Sequence, residues 1–265
     1  MKLDNIFQRL GNREVIVPLL EDAITSGKWP DSYSVTIDSA PYYGLTDVDG
    51  VGGKGGSGDG YFHPSTHPFW GERRLFLSFH PDYQGEKVPE KRTLTGELTL
   101  SMGSALHGIV QAQFEMAGVL RPENIEYEYI NEEHHCRGRI DFILDLPGGG
   151  EMVTELKTMN SYSFRNLEEI KPSWDAQLSM ALDNSGHDSG ILLVMEAGWP
   201  YTMREFKVPR NDELLSRTYE KFDRVRDALE DDVLPAPCCA PESPEMKECP
   251  FRYFCWSTES RKNSA

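Results

Sequence analysis

Apolar residues alternate with other residues along positions 136–145, and a period of two is typical of a β-strand. The sequence Pro-Gly-Gly-Gly at positions 147–150 favours a turn, and residues 152–157 predict a second strand. Two strands joined by so short a connection form a hairpin. The pattern therefore predicts that residues near position 141 lie beside residues near position 155.

Apolar residues at positions 106, 109, 110, 114 and 117 recur every three or four residues, so the segment 101–114 predicts an amphipathic helix. Residues 173–182 predict a second helix, which Pro172 opens and Gly186 closes. Residues 212–232 predict a third helix with a solvated face. Two more strands are predicted, at residues 125–130 and 191–195.

The predicted hairpin places two carboxylates and an amine together. Glu155 and Lys157 share one face of their strand, while Leu156 points into the core. The hairpin brings Asp141 close to both. Neighbouring carboxylates repel unless a cation lies between them, and hard oxygen ligands with room for water suit Mg²⁺ or Mn²⁺ rather than zinc. An ammonium group beside such an ion can hold the attacking water and offset charge during phosphodiester hydrolysis.

An isolated Glu-x-Lys on a strand is more often a surface ion pair than an active site. Agreement with other segments favours the active-site interpretation here. Four short motifs follow one another in the chain: Gly103-x-x-x-His107, Gly138-Arg139-Ile140-Asp141, Glu155-Leu156-Lys157-Thr158 and Gln177-Leu178. Their order and spacing over residues 97–210 resemble the RecB-like branch of the PD-(D/E)XK nucleases, which includes the iron–sulfur exonucleases of CRISPR adaptation and many phage recombination exonucleases.

The resemblance implies an α/β fold with a PD-(D/E)XK nuclease core, in which helices flank a mixed central sheet. It also implies that His107, Asp141, Glu155 and the backbone carbonyl of Leu156 ligate the catalytic metal. Lys157 is then the catalytic lysine.

The glutamine motif implies a further role near the site. By the resemblance, Gln177 contacts the substrate or orients the lysine. Family members often carry a tyrosine four residues after this glutamine, whereas this chain has Ala181, which argues against substrate stacking from that helix. Glu126 and Glu128 lie on the preceding predicted strand, and the approach of one of them to the site is a minor alternative.

Four of the five cysteines crowd the last 30 residues: Cys238, Cys239, Cys249 and Cys255. In a cytoplasmic protein such a tail predicts a metal site rather than disulfides. The segment 249–255 is similar to the tail of the iron–sulfur members of the family. Those members carry further cysteines where this chain has Met246 and near residues 70–74.

If Cys238 and Cys239 replace the two missing ligands, four thiolates are available for a [4Fe-4S] cluster. Adjacent cysteines are awkward as co-ligands. Zinc, a cluster with a different ligand and a tail without metal therefore stay open as alternatives.

The formal net charge of −16 argues against a broadly basic DNA-binding surface. Much of the acidity lies in residues 212–232, which hold eight acidic and four basic residues. An enzyme that threads a strand needs only a local positive channel, and a divalent metal supplies part of that charge. Candidate phosphate contacts are Arg73, Arg74, Lys87, Lys91, Arg92, Arg139 and Arg165. Alternatively, the acidic surface binds protein partners.

The sequence suggests an N-terminal extension with a flexible glycine-rich loop at residues 1–60, a RecB-like nuclease domain at 61–232, and a cysteine-bearing C-terminal cap at 233–265. No apolar run approaches the roughly 20 residues that span a membrane, and no secretory signal is recognisable. A cytoplasmic protein of a bacterial or phage-infected cell is therefore expected.

Together these features predict a Mg²⁺- or Mn²⁺-dependent DNA nuclease, an exonuclease that acts on single strands or DNA ends in recombination, replication or repair. Two alternatives stay open. One is a catalytically weak DNA-binding accessory that uses the cleft for capture. The other is a structure-specific endonuclease.

Overall fold

The computed structural model describes residues 14–28, 59–88 and 93–256. These residues fall into two units, each made of segments that are separate in sequence. The first unit takes in residues 14–28, 93–130 and 138–212, and the second takes in residues 59–88, 131–137 and 213–256. The functional division predicted at residues 60 and 232 stays a prediction. Lys91, Arg92 and residues 44–58 of the glycine-rich segment lie outside the described residues.

The first unit is built on a mixed sheet. Its strands are β1 (Leu120–Asn131), β2 (Cys136–Asp145), β3 (Glu151–Met159), β4 (Ser189–Glu196) and β5 (Met203–Pro209), and they neighbour one another in that order. Strands β2 and β3 pair antiparallel, β3 and β4 parallel, and β4 and β5 antiparallel. The predicted hairpin and mixed sheet are confirmed, whereas β5 was not predicted from the sequence.

The helices among the described residues include α1 (Ile16–Thr25), α2 (Glu72–Phe79), α3 (Leu94–Ala117), α4 (Ser161–Arg165), α5 (Pro172–Ser185), α6 (Asp212–Glu230) and α7 (Pro244–Glu248). Residues 252–256 are also helical. Short 3-10 helices cover His67–Phe69 and Pro81–Glu86. Within the described part of the chain, no helix has both the length and the apolar character of a membrane span.

Helices cover both faces of the sheet. On one face, apolar residues of α1 and α3 form a core with Phe142 of β2 and Leu156 of β3. On the other face, Phe164 of α4 and Leu178 of α5 pack against Val194 of β4. The predicted α/β architecture, a mixed sheet flanked by helices, is therefore confirmed.

The ends of the two long helices follow from local signals. The Thr93 side chain accepts a hydrogen bond from the Gly96 N–H and caps the start of α3. The helix begins at Leu94, seven residues before its predicted start at residue 101. Gly118 and Gly186 end α3 and α5 in the left-handed conformation that glycine tolerates best. Pro172 occupies the first turn of α5, as predicted.

Gly138 in β2 lies directly beneath the ring of Tyr129, a buried residue of β1. A Cβ atom at Gly138 would lie 2.5 Å from Cζ of that ring, which is closer than atoms pack. We therefore expect Gly138→Ala to lower the free energy of unfolding by about 1–3 kcal/mol, the usual cost of overpacking. Urea denaturation followed by circular dichroism measures this loss.

Gly103→Ala is the matched control. A Cβ atom at Gly103 would lie 3.4 Å from Oγ1 of Thr158, an ordinary contact, and alanine is favoured over glycine inside a helix. This variant should be neutral or more stable. Equal destabilisation by both substitutions would contradict the role of the Tyr129 ring, whereas Tyr129→Leu should recover part of the loss caused by Gly138→Ala.

Candidate active site

The ladder between β2 and β3 ends beside two acidic residues. Its antiparallel register runs as far as Phe142 opposite Thr154. One step further, the backbone N–H of Leu156 donates to Oδ2 of Asp141 at 2.8 Å. A carboxylate thus acts as acceptor for a strand N–H group, and this bond holds Asp141 against β3.

Glu155, Lys157 and Gln177 form a closed set of hydrogen bonds. Nζ of Lys157 donates to Oε1 of Glu155 at 2.7 Å and to Oε1 of Gln177 at 2.8 Å. Nε2 of Gln177 donates to the same Glu155 oxygen at 2.6 Å. Helix α5 therefore supplies a side chain that holds both the lysine and the acid of β3 in place.

His107 reaches the same place from α3. Its Nδ1 atom lies 3.8 Å from Oδ2 of Asp141. Burial lowers the pKa of His107, while the charge of Glu155 and a backbone hydrogen bond with Leu156 act in the opposite direction. The ring is therefore neutral at neutral pH, and neutral imidazole is the form that ligates metals. The structure thus brings His107, Asp141, Glu155 and Lys157 together.

Burial shifts the titration of both acids. It raises the pKa of Asp141 to about 6 and, together with repulsion from Asp141, the pKa of Glu155 to about 7. Burial also acts to lower the pKa of Lys157, but the charges of Glu155 and Asp141 outweigh it, so the pKa of Lys157 is raised. Two carboxylates share one ammonium group, and a further cation would relieve their repulsion.

One oxygen of the site lacks a partner. Oε2 of Glu155 is buried, and among the described residues it accepts no hydrogen bond. Leaving a carboxylate oxygen buried and unpaired is costly. The surrounding donors, which are carboxylate oxygens, a backbone carbonyl and an imidazole, are types that Mg²⁺ and Mn²⁺ accept. By chemistry, the donor set fits a divalent cation.

No group of three His, Cys, Asp or Glu residues in the described part of the chain is arranged to hold a metal. In this arrangement the Lys157 ammonium group is the cationic partner of Glu155.

Glu126 of β1 is a nearby acid that the sequence marked only as a minor alternative. Its charge raises the pKa values of both Asp141 and His107, so it lies near the site. It also forms an ion pair with Arg139 at 2.8 Å. Arg139, a candidate phosphate contact, is thus paired with a carboxylate. Glu126 has a positive φ of 50°, which interrupts the regular alternation of β1 and hides its position from a periodicity argument.

The structure corrects the prediction that Arg73 contacts phosphate. This residue was a candidate phosphate contact, but it is 1% exposed in the second unit. Its guanidinium group donates to the backbone carbonyls of Pro235 and Cys255. Buried apolar neighbours draw α2 into the core, and the C-terminal segment covers this side chain. Among the other candidate phosphate contacts, Arg74 stacks on Trp70, with its Cζ atom 3.8 Å from the ring centre. Lys87 and Arg165 are exposed.

All four tail cysteines line one cavity in the second unit. They share it with Arg74, Leu77, Met246, Arg252 and Trp256. Each of the four is a free thiol. Burial raises the pKa of Cys239, Cys249 and Cys255. The predicted metal-binding cysteines are therefore neighbours, although no three of them enclose a metal as placed within the described residues.

Cys238 lies against Gly71. A Cβ atom on Gly71 would stand 2.6 Å from the Cys238 sulfur. Residues 70–74 are the segment in which the resembled iron–sulfur nucleases carry an upstream cysteine, and Met246, at the other missing position, lines the same cavity. Cys238 thus lies beside residue 71, and Cys238 and Cys239 line the same cavity as Met246.

No protein-family model and no curated protein matches the chain. Among solved structures, the chain is similar to LHK-Exo in complex with dAMP, with a TM-score of 0.46 and 13% identity over 65% of this chain and 89% of that one. The alkaline exonuclease (LHK-Exo) from Laribacter hongkongensis matches with a TM-score of 0.45, 13% identity and the same coverage. SSO0001 matches with a TM-score of 0.42 and 14% identity over 91% of this chain and 93% of that one. These likenesses are weak, so function is inferred from the site itself.

Proposed function

We propose that this protein is a Mg²⁺- or Mn²⁺-dependent deoxyribonuclease of the RecB-like PD-(D/E)XK type. The observation that carries the proposal is the buried Glu155 with the partly buried Asp141 near it and the ammonium group of Lys157 bonded to Glu155. A buried excess of carboxylate is unfavourable for folding alone. Perturbed acids next to a positioned lysine are instead typical of a catalytic site.

In this proposal His107, Asp141, Glu155 and the Leu156 carbonyl would hold the ion. The bound ion supplies Lewis-acid polarisation of the scissile phosphate. Lys157 holds the attacking water and offsets negative charge as the bond breaks. Gln177 keeps the lysine in position through its 2.8 Å hydrogen bond.

The proposed substrate is a DNA end or a single strand, and the proposed reaction is exonucleolytic. This finer statement rests on the resemblance of the four motifs to a branch rich in exonucleases. Ala181 lies on α5 and is buried in the apolar core, so this helix offers no aromatic ring to the substrate at that position.

A cleavage assay tests the proposal. Linear single- and double-stranded DNA labelled at either end, and closed circular DNA, are incubated with Mg²⁺, with Mn²⁺ or with chelator. We expect metal-dependent loss of the linear substrates from an end while the circle persists. Cutting of the circle would instead indicate an endonuclease. If no substrate is degraded, the nuclease proposal fails and the alternative of a DNA-binding accessory is favoured.

We further propose that Cys238, Cys239, Cys249 and Cys255 bind a metal centre that anchors the C-terminal segment. A [4Fe-4S] cluster is the preferred centre and zinc the alternative. Their convergence on one cavity supports the proposal. Such ligands are thiolates, and burial raises the pKa of Cys239, Cys249 and Cys255, so a bound metal ion would supply the positive charge that favours their ionised form.

Metal analysis after anaerobic purification checks this prediction. We expect about four iron and four sulfide per chain, or about one zinc in the alternative. Cys249→Ser should lose the metal. Cys136→Ser is the matched control, because Cys136 is buried in the same unit but does not line the cavity. Protein that contains neither iron and sulfide nor zinc would refute the metal centre.

A further inference from the structure

Of the four aromatic side chains that stand exposed among the described residues of the first unit, three lie between residues 162 and 201. Trp199 is 83% exposed, Tyr162 is 80% exposed and Tyr201 is 50% exposed. Aromatic residues gain most from burial, so several exposed ones in one place mark a binding surface more often than an ordinary one.

These residues come from two segments that touch. The backbone N–H of Ala197 donates to the carbonyl of Met159 at 2.8 Å. Beside it, a Cβ atom on Gly198 would lie 3.3 Å from Oγ of Ser161. Tyr162 follows Ser161 and Trp199 follows Gly198. Tyr162 and Trp199 are therefore each one residue away from a close contact between α4 and the loop that joins β4 to β5.

The backbone beneath these rings is held firmly. The Arg204 guanidinium group donates to the carbonyls of Phe164 and Leu167 at 3.2 and 3.0 Å. The Glu196 N–H donates to the Thr202 carbonyl at 2.9 Å and closes the loop. A surface already ordered before binding loses little conformational entropy when a ligand docks.

One of the contacts beneath this surface lies near the proposed active site, on the same strand. Met159 lies two residues beyond Lys157 on β3, which is about 7 Å along the strand. Helix α4 packs on the same face of the sheet as α5, which carries Gln177. Arg165 is exposed on α4 and offers a positive charge to a phosphate.

We infer that Tyr162 and Trp199 bind unpaired bases of a nucleic acid strand by stacking, a short distance from the bond that Lys157 helps to break. The inference rests on the proposed nuclease function for the class of ligand. Aromatic rings stack on any base, so the site does not depend on sequence. It supplies the stacking that α5 lacks at Ala181.

Binding is measured apart from cleavage, by fluorescence anisotropy of a labelled oligothymidylate of about 16 nucleotides, the upper end of single-strand site sizes. Ca²⁺ replaces Mg²⁺ so that the strand stays intact. We expect Trp199→Ala and Tyr162→Ala each to weaken binding about tenfold, within the range measured for one stacked base. Trp199→Phe should bind nearly as well as the parent. Tyr253→Ala is the control, because Tyr253 is 72% exposed in the second unit.

An abasic oligonucleotide of the same length separates stacking from phosphate contacts. The parent protein should bind it about as weakly as the Trp199→Ala/Tyr162→Ala double variant binds oligothymidylate. Unchanged binding by the double variant would overturn the inference and leave the aromatic surface to a protein partner. If the parent cleaves no DNA but the aromatic variants still lose binding, the nuclease proposal fails while the stacking site stands.

Discussion

Lys157→Met is expected to lower the rate of metal-dependent DNA cleavage by about a hundred- to a thousandfold, the usual effect of removing one group that stabilises charge in the transition state. The ammonium group of Lys157 lies 2.7 Å from Glu155 and is held by Gln177, so its position is set before substrate binds. Methionine keeps most of the apolar stem and removes only the charge. Single-turnover cleavage of end-labelled DNA measures the rate.

The same variant should remain folded. Replacing Lys157 removes the ammonium partner of Glu155. That acid can take up a proton instead, because its pKa is already raised to about 7. Circular dichroism and oligonucleotide binding should therefore change little. Lys207→Met, on β5, is the matched control and should cleave at the parental rate. Parental activity in Lys157→Met would refute the assignment of the catalytic lysine.

Metal-free protein is expected to lose stability as the pH rises from about 4 to about 7. The ordinary pKa values of Asp141 and Glu155 are 3.8 and 4.5, and burial raises them to about 6 and about 7. At pH values between the ordinary and the raised pKa of each acid, the folded state binds more protons than the unfolded state. The free energy of unfolding therefore falls as pH increases. Each pKa unit corresponds to about 1.4 kcal/mol.

A divalent ion should reverse this trend, because it binds the ionised carboxylates and competes with protons. We expect Mg²⁺ or Mn²⁺ to raise the melting temperature more at pH 8 than at pH 5. Thermal unfolding followed by circular dichroism measures both effects. The Asp141→Asn/Glu155→Gln variant should lose the part of the pH dependence of stability that these two acids cause. It should also lose the rise in melting temperature on addition of metal. A metal response of equal size at both pH values, or one that survives in the variant, would contradict a metal site at these acids.

The hairpin, the long helices and the candidate site residues were predictable because their signals are local. Alternation along β2 and β3 shows that Glu155 and Lys157 share a face, and proline and glycine mark the ends of α5, whereas the start of α3 at Leu94 was not predicted. The order of short motifs then linked His107 and Gln177 to the same place, although 70 positions separate them. The catalytic roles of these residues remain proposals.

What surrounds the site was decided by tertiary structure. The sequence shows Arg73 and Arg165 as equivalent cations, yet one is buried under the C-terminal segment and the other is exposed. It does not show that Glu126 approaches Asp141, because an irregular backbone angle breaks the strand pattern. The exposure of Trp199 was equally hidden, since a tryptophan in a loop is usually covered.

By itself, the sequence therefore determined which residues form the hairpin, which of them share a face and which chemistry they can support. These properties depend on neighbours a few positions away. Only the tertiary structure decided which charges are paired, which acids are buried deeply enough to shift their pKa values, and which aromatic rings reach solvent. Those properties depend on which distant segments cover each side chain, and no local pattern records that.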